Sequence, residues 1–383
     1  MRSWADPMRC PRNPWNSART PPVLQDAAAT LSDAMTSPKS PRKRISAGWY
    51  VAGFLIAMIT AAAAILLVWP QLLGWQRELP FTQIISFRLV MLIGVGVALI
   101  AGLALILVSR QTRALFGGMT VVLLVTALSL GGLLLSRGYN ASVPPTGAAD
   151  AVRVLTWNTL GNEPGSPTIA QLAIDYDVDV LMLPETTEDM GMEIAGLLRE
   201  AGKPMWVLSH SGAPGYRAAE TTLLVSAELG EYEVTEALGD TSVLATVVAV
   251  PKNGEGPTLV AAHPVAPVPE QMSHWRDDLT WLSTVCTGDA IVAGDFNATL
   301  DHLVGLEDSS VSGAVLGGCR DAALDAGSAA LGTWTSGRPP ALVPAIDHVM
   351  YTPTWKVTGF EVITREDRSG SDHRPVFAEL TRA

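Results

Sequence analysis

Three long apolar runs in the first third of the chain constrain its fold more than any other feature. They lie near Ala47–Trp69, Phe87–Val108 and Leu115–Leu135. Each is close to the length of about 20 residues that a helix needs to cross a bilayer. A cleaved signal peptide would be a single shorter run, so the pattern predicts three transmembrane helices within residues 46–136. Only 16% of the 383 residues are charged, which agrees with this prediction.

Basic residues beside these runs predict their orientation. Lys39 and the run Arg42–Arg44 precede the first span, and Arg110 and Arg113 lie in the turn between the second and third. The positive-inside rule places both groups in the cytoplasm. An odd number of spans then leaves everything after Leu135 outside the cytoplasm.

The segments that flank the spans are interpreted from their composition. Residues 1–45 are rich in Pro, Arg, Ser and Ala without apolar periodicity, which predicts a disordered cytoplasmic tail. Met35 begins a shorter and more ordinary N-terminus, so part of the tail is hypothesised to reflect the choice of start site. Residues 137–150, which include Pro144-Pro145, predict a short linker to the outer region.

Charge is divided unevenly along the chain. Residues 1–149 carry 13 basic and 4 acidic side chains (+9), whereas residues 150–383 carry 13 basic and 33 acidic ones (−20). A region this acidic lacks the broad positive surface of a nucleic-acid binder, although it can still carry a local strip of basic residues. We therefore expect no nucleic-acid partner, and an acidic surface fits a divalent cation better.

The region from Ala151 onward alternates short β-like runs with a few helical stretches, one of them from about Glu270 to Val285. About 230 residues with this many strands can form one large α+β domain. The predicted strands are Val152–Trp157, Val178–Leu183, Thr221–Val225, Val243–Val250, Thr258–Ala262, Ala290–Ala293, Ile346–Tyr351, Val357–Ile363 and Val376–Leu380.

One stretch of this region has the residues of a hydrolytic site. Residues 291–298 read Ile-Val-Ala-Gly-Asp-Phe-Asn-Ala, a buried-strand run that ends in Asp295 and Asn297. Residues two apart on a strand point to the same face, so both side chains can reach one centre. A carboxylate can deprotonate water, and an amide can hydrogen-bond an oxyanion. The alternative is an ordinary turn, which Gly, Asp and Asn favour.

Polar residues follow other predicted strands as well. The series is Trp-Asn158, Pro-Glu185, His263, Gly-Asp295-Phe-Asn297, Ile-Asp347-His-Val and Ser-Asp372-His373-Arg-Pro-Val. In this order the motifs resemble the endonuclease/exonuclease/phosphatase superfamily over essentially all of residues 151–382. Any one motif would be weak, but together they are specific.

The resemblance implies both a fold and a chemistry for residues 151–383. The fold is α+β, a four-layer sandwich of two β-sheets flanked by helices, here preceded by three transmembrane helices. The chemistry is metal-dependent hydrolysis of a phosphoester or phosphoanhydride. The site lies at the end of the sandwich where the strand termini meet.

The resemblance also assigns roles to the carboxylates and amides. Glu185 would be the metal ligand, supported by Asn158 and Asp372. A hard oxygen ligand suits Mg²⁺, with Mn²⁺ as the alternative. Asp295 would orient and deprotonate the attacking water, and Asn297 would donate to a phosphate oxygen as charge develops.

Two histidines complete the implied site. His373 would stabilise the phosphate or protonate the leaving oxygen, with Asp347 fixing its tautomer. His263 matches the position where phosphodiesterase and sphingomyelinase-like branches carry a phosphate-binding histidine. Asn158 and Asp347 also have a simpler alternative, which is that they cap strands or turns.

Three further residues have weaker assignments. Arg217, in a Tyr-Arg pair that resembles one often found before the central strand of the family, would clamp a second phosphate or be a solvated loop arginine. His274, on the helix after His263, would reach the substrate. His348 follows Asp347 and should face the opposite side of its strand, in a structural role.

The three cysteines leave two alternatives. Cys10 would be cytoplasmic, whereas Cys286 and Cys319 lie on the predicted oxidising side and either pair or remain buried free thiols. Their spacing is not that of a metal site.

Three spans with an outward-facing phosphohydrolase domain resemble the membrane-bound actinobacterial branch linked to teicoplanin resistance. That resemblance implies a lipid-linked phosphate in the outer leaflet, such as undecaprenyl diphosphate, cut to the monophosphate for reuse in cell-wall synthesis. The alternatives are a phospholipid or sphingolipid phosphodiesterase, and a surface nuclease, which the acidic charge disfavours. An alternative of another class is an inactive membrane scaffold or sensor.

Overall fold

The computed structural model describes residues 44–212 and 217–383, except for the side chain of Arg217. The predicted tail with Cys10, Met35 and its basic run up to Lys43 lies outside the described residues, and so does Tyr216.

Three helices are long and apolar enough to cross a membrane, and they match the three predicted spans: α1 (Ala47–Val68), α3 (Arg88–Val108) and α4 (Arg110–Arg137). Between α1 and α3 the chain forms two 3₁₀ turns, Pro70–Leu73 and Trp75–Arg77, and the short helix α2 (Phe81–Ile85). We call residues 69–87 the membrane loop.

Residues 142–382 fold into two mixed β-sheets. One has seven strands in the order β1-β12-β13-β2-β3-β5-β4, and the other has six in the order β10-β11-β9-β8-β7-β6. Each sheet contains one parallel pair, β2 with β3 and β8 with β9. The strands are β1 (Ser142–Val143), β2 (Val152–Thr156), β3 (Val180–Pro184), β4 (Met205–Ser211), β5 (Glu220–Ser226), β6 (Tyr232–Val234), β7 (Val247–Pro251), β8 (Thr258–Ala262), β9 (Ala290–Asp295), β10 (Arg320–Asp321), β11 (Asp347–Tyr351), β12 (Trp355–Val362) and β13 (Val376–Arg382).

The two sheets pack face to face over an apolar core that includes Val154, Met182 and Ile291. Helices α5 (Ser166–Asp175) and α6 (Glu188–Glu200) cover the outer face of the seven-stranded sheet. Helix α7 (Met272–Val285) covers the six-stranded sheet, and the short helices α8 (Leu300–Leu303) and α9 (Ala322–Asp325) lie in the connections after it. The predicted α+β sandwich with three preceding apolar helices is therefore confirmed.

Two local features settle what the sequence had left open. Strand β1, inside the predicted linker, pairs with β12 at the edge of the seven-stranded sheet, so this segment is hydrogen-bonded to the domain. Cys286, at the end of α7, forms a disulfide with Cys319. Of the two alternatives for these cysteines, the paired one is found.

A buried ionic cluster joins the apolar helices to the domain formed by the two sheets. Arg88, at the start of α3, binds both oxygens of Asp301 at 2.7 and 3.0 Å. Arg137, at the end of α4, reaches the same carboxylate at 2.9 Å. The next residue, His302, is bonded through Nε2 to the carbonyl oxygen of Thr82 at 3.0 Å. We call Arg88, Arg137, Asp301 and His302 the junction cluster.

Candidate active site

The predicted polar residues meet at one end of the sandwich, where strands of both sheets terminate. Asn158 follows β2 of the seven-stranded sheet and Asp295 ends β9 of the other. The Asn158 amide donates to Glu185 Oε1 at 3.0 Å and to Asp295 Oδ2 at 3.1 Å. One buried amide thus holds carboxylates from the two sheets side by side.

The turn after β9 is fixed by its own backbone and by its neighbours. The N–H of Asn297 donates to Asp295 Oδ1 at 2.8 Å, and the Asn297 amide donates to the carbonyl oxygen of Pro264 at 3.0 Å. The buried indole of Trp275 donates to the carbonyl oxygen of Asn297 at 3.1 Å. Gly294 lies against the backbone of Ala262, where a Cβ atom would collide with the carbonyl oxygen.

Two of the candidate residues have a left-handed backbone. Glu185 has a φ of 57° and Asn297 a φ of 48°. Asn adopts this conformation more readily than Glu does, so the conformation of Glu185 is held by its surroundings at an energetic cost. Such residues concentrate at functional sites, which agrees with the prediction for this strand end.

His373 is buried between carboxylates. Its Nδ1 lies 2.9 Å from Asp347 Oδ2, and its Nε2 lies 3.7 Å from Asp295 Oδ2. Burial lowers the pKa of His373, but the charges of Asp347 and Asp295 outweigh that effect and raise the pKa to about 10. The imidazole is therefore cationic at neutral pH, and Nε2 carries a proton on the side of Asp295.

The remaining acids of the site are poorly solvated. Burial raises the pKa of Asp295 to about 7, against the opposing effect of His373. Burial also raises the pKa of Glu185, although the amide of Asn158 opposes the shift. One cationic histidine therefore faces several carboxylates, and the site has an excess of acid.

His263 lies at the edge of this cluster. Its Nε2 is 3.8 Å from Glu185 Oε1, and its buried Nδ1 has no hydrogen-bond partner among the described residues. Burial, followed by the nearby charge of His373, lowers the pKa of His263 to about 3. The ring is neutral and keeps unused hydrogen-bonding capacity.

Asp372 is held by a residue that the sequence analysis missed. The half-exposed indole of Trp334 donates to Asp372 Oδ2 at 2.8 Å. Asp372 Oδ1, 3.9 Å from His373 Nε2, has no hydrogen-bond partner within residues 44–212 and 217–383. Trp334 lies between strands in a Thr-Trp-Thr-Ser stretch whose spacing carries no signal, so only the fold brings it here.

The donor set fits a divalent cation. Asp295, Asp347 and His373 each place a potential ligand atom within 4.8 Å of the others, and the two carboxylates can bind an ion whereas the cationic His373 cannot. Glu185 and the unpartnered oxygen of Asp372 add hard oxygen donors of the kind that Mg²⁺ and Mn²⁺ prefer.

Of the three remaining predicted residues, the two whose side chains are described, His274 and His348, make no hydrogen bond with this cluster. His274 is exposed on α7 and bonds Gln271 at 2.8 Å, with no bond to the cluster in the described part of the chain. The side chain of Arg217 lies outside the described residues. His348 points away from the site, as expected, and bonds Asp321 and the carbonyl oxygen of Ala298.

The sequence comparison identifies the family. The model of the endonuclease/exonuclease/phosphatase family matches residues 155–373, more than half of the chain, and the chain therefore belongs to this family. Enzymes of this family are in general metal-dependent phosphoric ester hydrolases, and the cluster described above provides a possible metal site. No curated protein matches the chain significantly.

Several solved structures are similar to this chain over 61–62% of its length. The D. rerio TDP2 humanized by 14 mutations is 17% identical, covers 61% of this chain and 100% of its own, and has a TM-score of 0.46. The human Nocturnin catalytic domain is 16% identical over 62% of this chain and 96% of its own, with a TM-score of 0.45. A family member from Bacteroides vulgatus is 18% identical over 61% of this chain and 99% of its own, with a TM-score of 0.42.

Proposed function

We propose that this protein is a membrane-anchored phosphohydrolase that acts outside the cytoplasm on a lipid-linked diphosphate such as undecaprenyl diphosphate. The products would be the lipid monophosphate, available again for cell-wall synthesis, and inorganic phosphate. This places the chain in the membrane-bound actinobacterial branch linked to teicoplanin resistance.

The observation that carries the lipid substrate is a short path from the site to the membrane loop. At one end of residues 264–267, the carbonyl oxygen of Pro264 accepts from Asn297 in the site. At the other end, the carbonyl oxygen of Pro267 accepts from Gln83 of the membrane loop at 2.8 Å. Three residues of chain span at most about 11 Å.

Gln83 belongs to α2 and lies five residues before the start of α3, so at most about 18 Å of chain separates it from that apolar helix. The headgroup layer on each side of a bilayer is about 5–7 Å thick. The site is therefore within reach of a phosphate that stands at the membrane surface.

Two features support an extracytoplasmic domain. The disulfide between Cys286 and Cys319 is typical of proteins exposed to an oxidising compartment. The basic turn with Arg110 and Arg113 lies at the end of α3 opposite the membrane loop, as the positive-inside rule requires.

In the proposed reaction, Glu185 with Asn158 and Asp372 would hold Mg²⁺, which when bound neutralises the charge of the phosphate oxygens. Asp295 takes a proton from water, for which a pKa of about 7 is well placed. The water oxygen forms a bond to the terminal phosphorus, and the bond from phosphorus to the bridging oxygen breaks.

The remaining residues stabilise and complete the transfer. His373, cationic through its pairing with Asp347, donates from Nε2 to the departing bridging oxygen. The neutral His263 donates to another oxygen of the terminal phosphate as negative charge develops there, and Asn297 does so with the side-chain N–H that otherwise donates to Asp295 Oδ2 at 3.3 Å.

The test is phosphate release from undecaprenyl diphosphate by detergent-solubilised protein with Mg²⁺. We expect release by the wild type and none by Asp295→Ala or His373→Ala. If the same preparation releases no phosphate from the diphosphate but cleaves a phosphodiester lipid or DNA, the proposed substrate is wrong and the hydrolytic site is retained. Inactivity on all three would favour a scaffold or sensor.

A further inference from the structure

An open apolar groove runs between two of the membrane helices and has no role in the site described above. Its volume is about 230 Å³. The lining residues on α1 are small or aliphatic, such as Ala61 and Ala64, those on α4 are mostly β-branched, such as Val121, Val125 and Thr126, and Trp69 lies at the end beyond α1. We call this the chain groove.

On the side that lines the groove, α1 presents two alanines. Ala61 and Ala64 are one turn apart and partly buried, whereas Ala62 and Ala63 between them are exposed on the other face. The hydroxyl of Thr126 is already bonded to the carbonyl oxygen of Val122 at 2.9 Å, so it adds little polarity to the groove. The groove is therefore suited to hydrocarbon.

The dimensions fit a single hydrocarbon chain. From Ala61 to Trp69 the groove spans eight residues, or about 12 Å of helix. A volume of 230 Å³ over that length leaves a cross-section of about 19 Å². A hydrocarbon chain can lie inside the groove along its whole length, whereas a second helix, about 10 Å across, could only pack over its mouth.

The upper end of the groove is tied to the active-site loop. Just beyond Trp69, Gln71 donates to the carbonyl oxygen of Asp301 at 3.4 Å, and the carbonyl oxygen of Leu67 accepts from Arg88 of the junction cluster at 2.7 Å. Asp301 follows Asn297 by four residues, a distance of at most about 14 Å along the chain. A lipid chain in the groove would thus leave the bilayer beside the loop that carries Asn297.

We propose that the chain groove binds the hydrocarbon chain of the lipid substrate and so presents its phosphates to the active site. The inference rests on the proposed function, because it assigns a place to the lipid part of that substrate. It implies that the protein selects long-chain diphosphates over short, water-soluble ones.

The experiment compares two double variants of the full-length protein in lipid nanodiscs. Ala61→Leu with Ala64→Leu fills the groove, and Ala62→Leu with Ala63→Leu adds the same atoms on the exposed face of the same helix. Each is assayed on undecaprenyl diphosphate and on dimethylallyl diphosphate, which has only five carbons. Thermal unfolding of both variants is recorded to confirm that they fold like the wild type.

We expect the filled variant to raise KM for the long-chain substrate about tenfold or more, since it displaces buried methylene groups. Its kcat/KM for the short substrate should equal that of the wild type, and the exposed-face variant should match the wild type on both. If KM for the long-chain substrate is unchanged in the filled variant, the proposal that the groove binds the hydrocarbon chain is wrong. The proposed function would not be affected by that result.

If the wild type releases no phosphate from either diphosphate, the proposed function is rejected. A direct binding measurement can still test the role of the chain groove. Crosslinking with a polyprenyl phosphate that carries a diazirine on its chain then tests the groove alone. Labelling of α1 and α4 that is lost only in the filled variant supports the groove, and equal labelling of both variants overturns it.

Discussion

Asp295 and Asp301 lie six residues apart in the sequence, both are almost fully buried, and their environments are opposite. At Asp301 burial raises the pKa, but Arg137 and Arg88 outweigh it and hold the pKa well below its usual range. At Asp295 burial prevails and the pKa rises to about 7. The same side chain is thus a fixed anion in one place and a group that exchanges protons at neutral pH in the other.

The difference lies in the balance of charge around each carboxylate. In the junction cluster two arginines face one acid, so the carboxylate is fully compensated and hydrogen-bonded, and the cluster joins two parts of the molecule. In the candidate active site His373 faces Asp295, Asp347 and Asp372, and buried atoms remain without partners. Uncompensated charge lowers the stability of the folded protein. The same carboxylates can bind a cation, which in turn can bind a phosphate.

The largest expected effect separates the two aspartates by activity. Asp295→Asn should lower kcat by about 10³-fold, within the range for loss of a general base, and cost only about 1 kcal/mol of unfolding free energy through altered hydrogen bonds. Phosphate release and denaturant unfolding of the same preparation measure both. Asp301→Asn is the matched control, and we expect its kcat per folded molecule to stay within about tenfold of the wild type.

The second expected effect is on stability, and it is larger for Asp301 than for Asp295. Asp301→Asn leaves two largely buried arginines without their anion, and removing one partner of a buried ion pair typically costs about 3–5 kcal/mol. The free energy of unfolding in detergent measures the loss. A loss below about 1 kcal/mol, equal to that of Asp295→Asn, would show that the junction cluster is not a structural clamp.

Divalent cations should act on only one of the two clusters. At a Mg²⁺ concentration of 100 times its Kd, the ion should stabilise the folded protein by about 2.7 kcal/mol, and a chelator should remove both this stability and the activity. Glu185→Gln should abolish the stabilisation, whereas Asp301→Asn should keep it. Stabilisation that survives Glu185→Gln would place the ion elsewhere.

The last expected effect is a pH dependence of the junction. Burial lowers the pKa of His302 to about 4, and the backbone N–H of Thr299 donates to its Nδ1, which requires the neutral ring. The unfolded chain binds this proton near pH 6.5, so between about pH 4 and 6.5 the unfolded state binds more protons and stability falls as the pH falls.

His302→Gln should remove most of this slope, which amounts to about 3 kcal/mol over the window. Unfolding free energies at pH 4.5 and 7.5 for the variant and the wild type measure it. Equal slopes in the two proteins would assign the acid sensitivity to other groups.

Sequence patterns predicted the helices and strands well where a run of residues favours a single local structure. Apolar length predicted α1, α3 and α4, and branched apolar runs predicted β2, β3, β8 and β9 near their observed positions. Strands β4 and β6, with fewer buried positions, were missed because their faces are partly solvated. The polar residues at strand ends predicted which side chains would gather, because parallel and neighbouring strands bring their ends together.

The sequence by itself thus determined the family, the three apolar helices and the polar series from Asn158 to His373. Only the tertiary structure decided that Asp301 anchors the domain on Arg88 and Arg137, that Trp334 holds Asp372, and that Cys286 pairs with Cys319. The reason is physical: a side chain's partner is set by packing, and Arg88 and Asp301 are 213 residues apart. No local pattern records which of two buried aspartates will meet arginine and which will meet histidine.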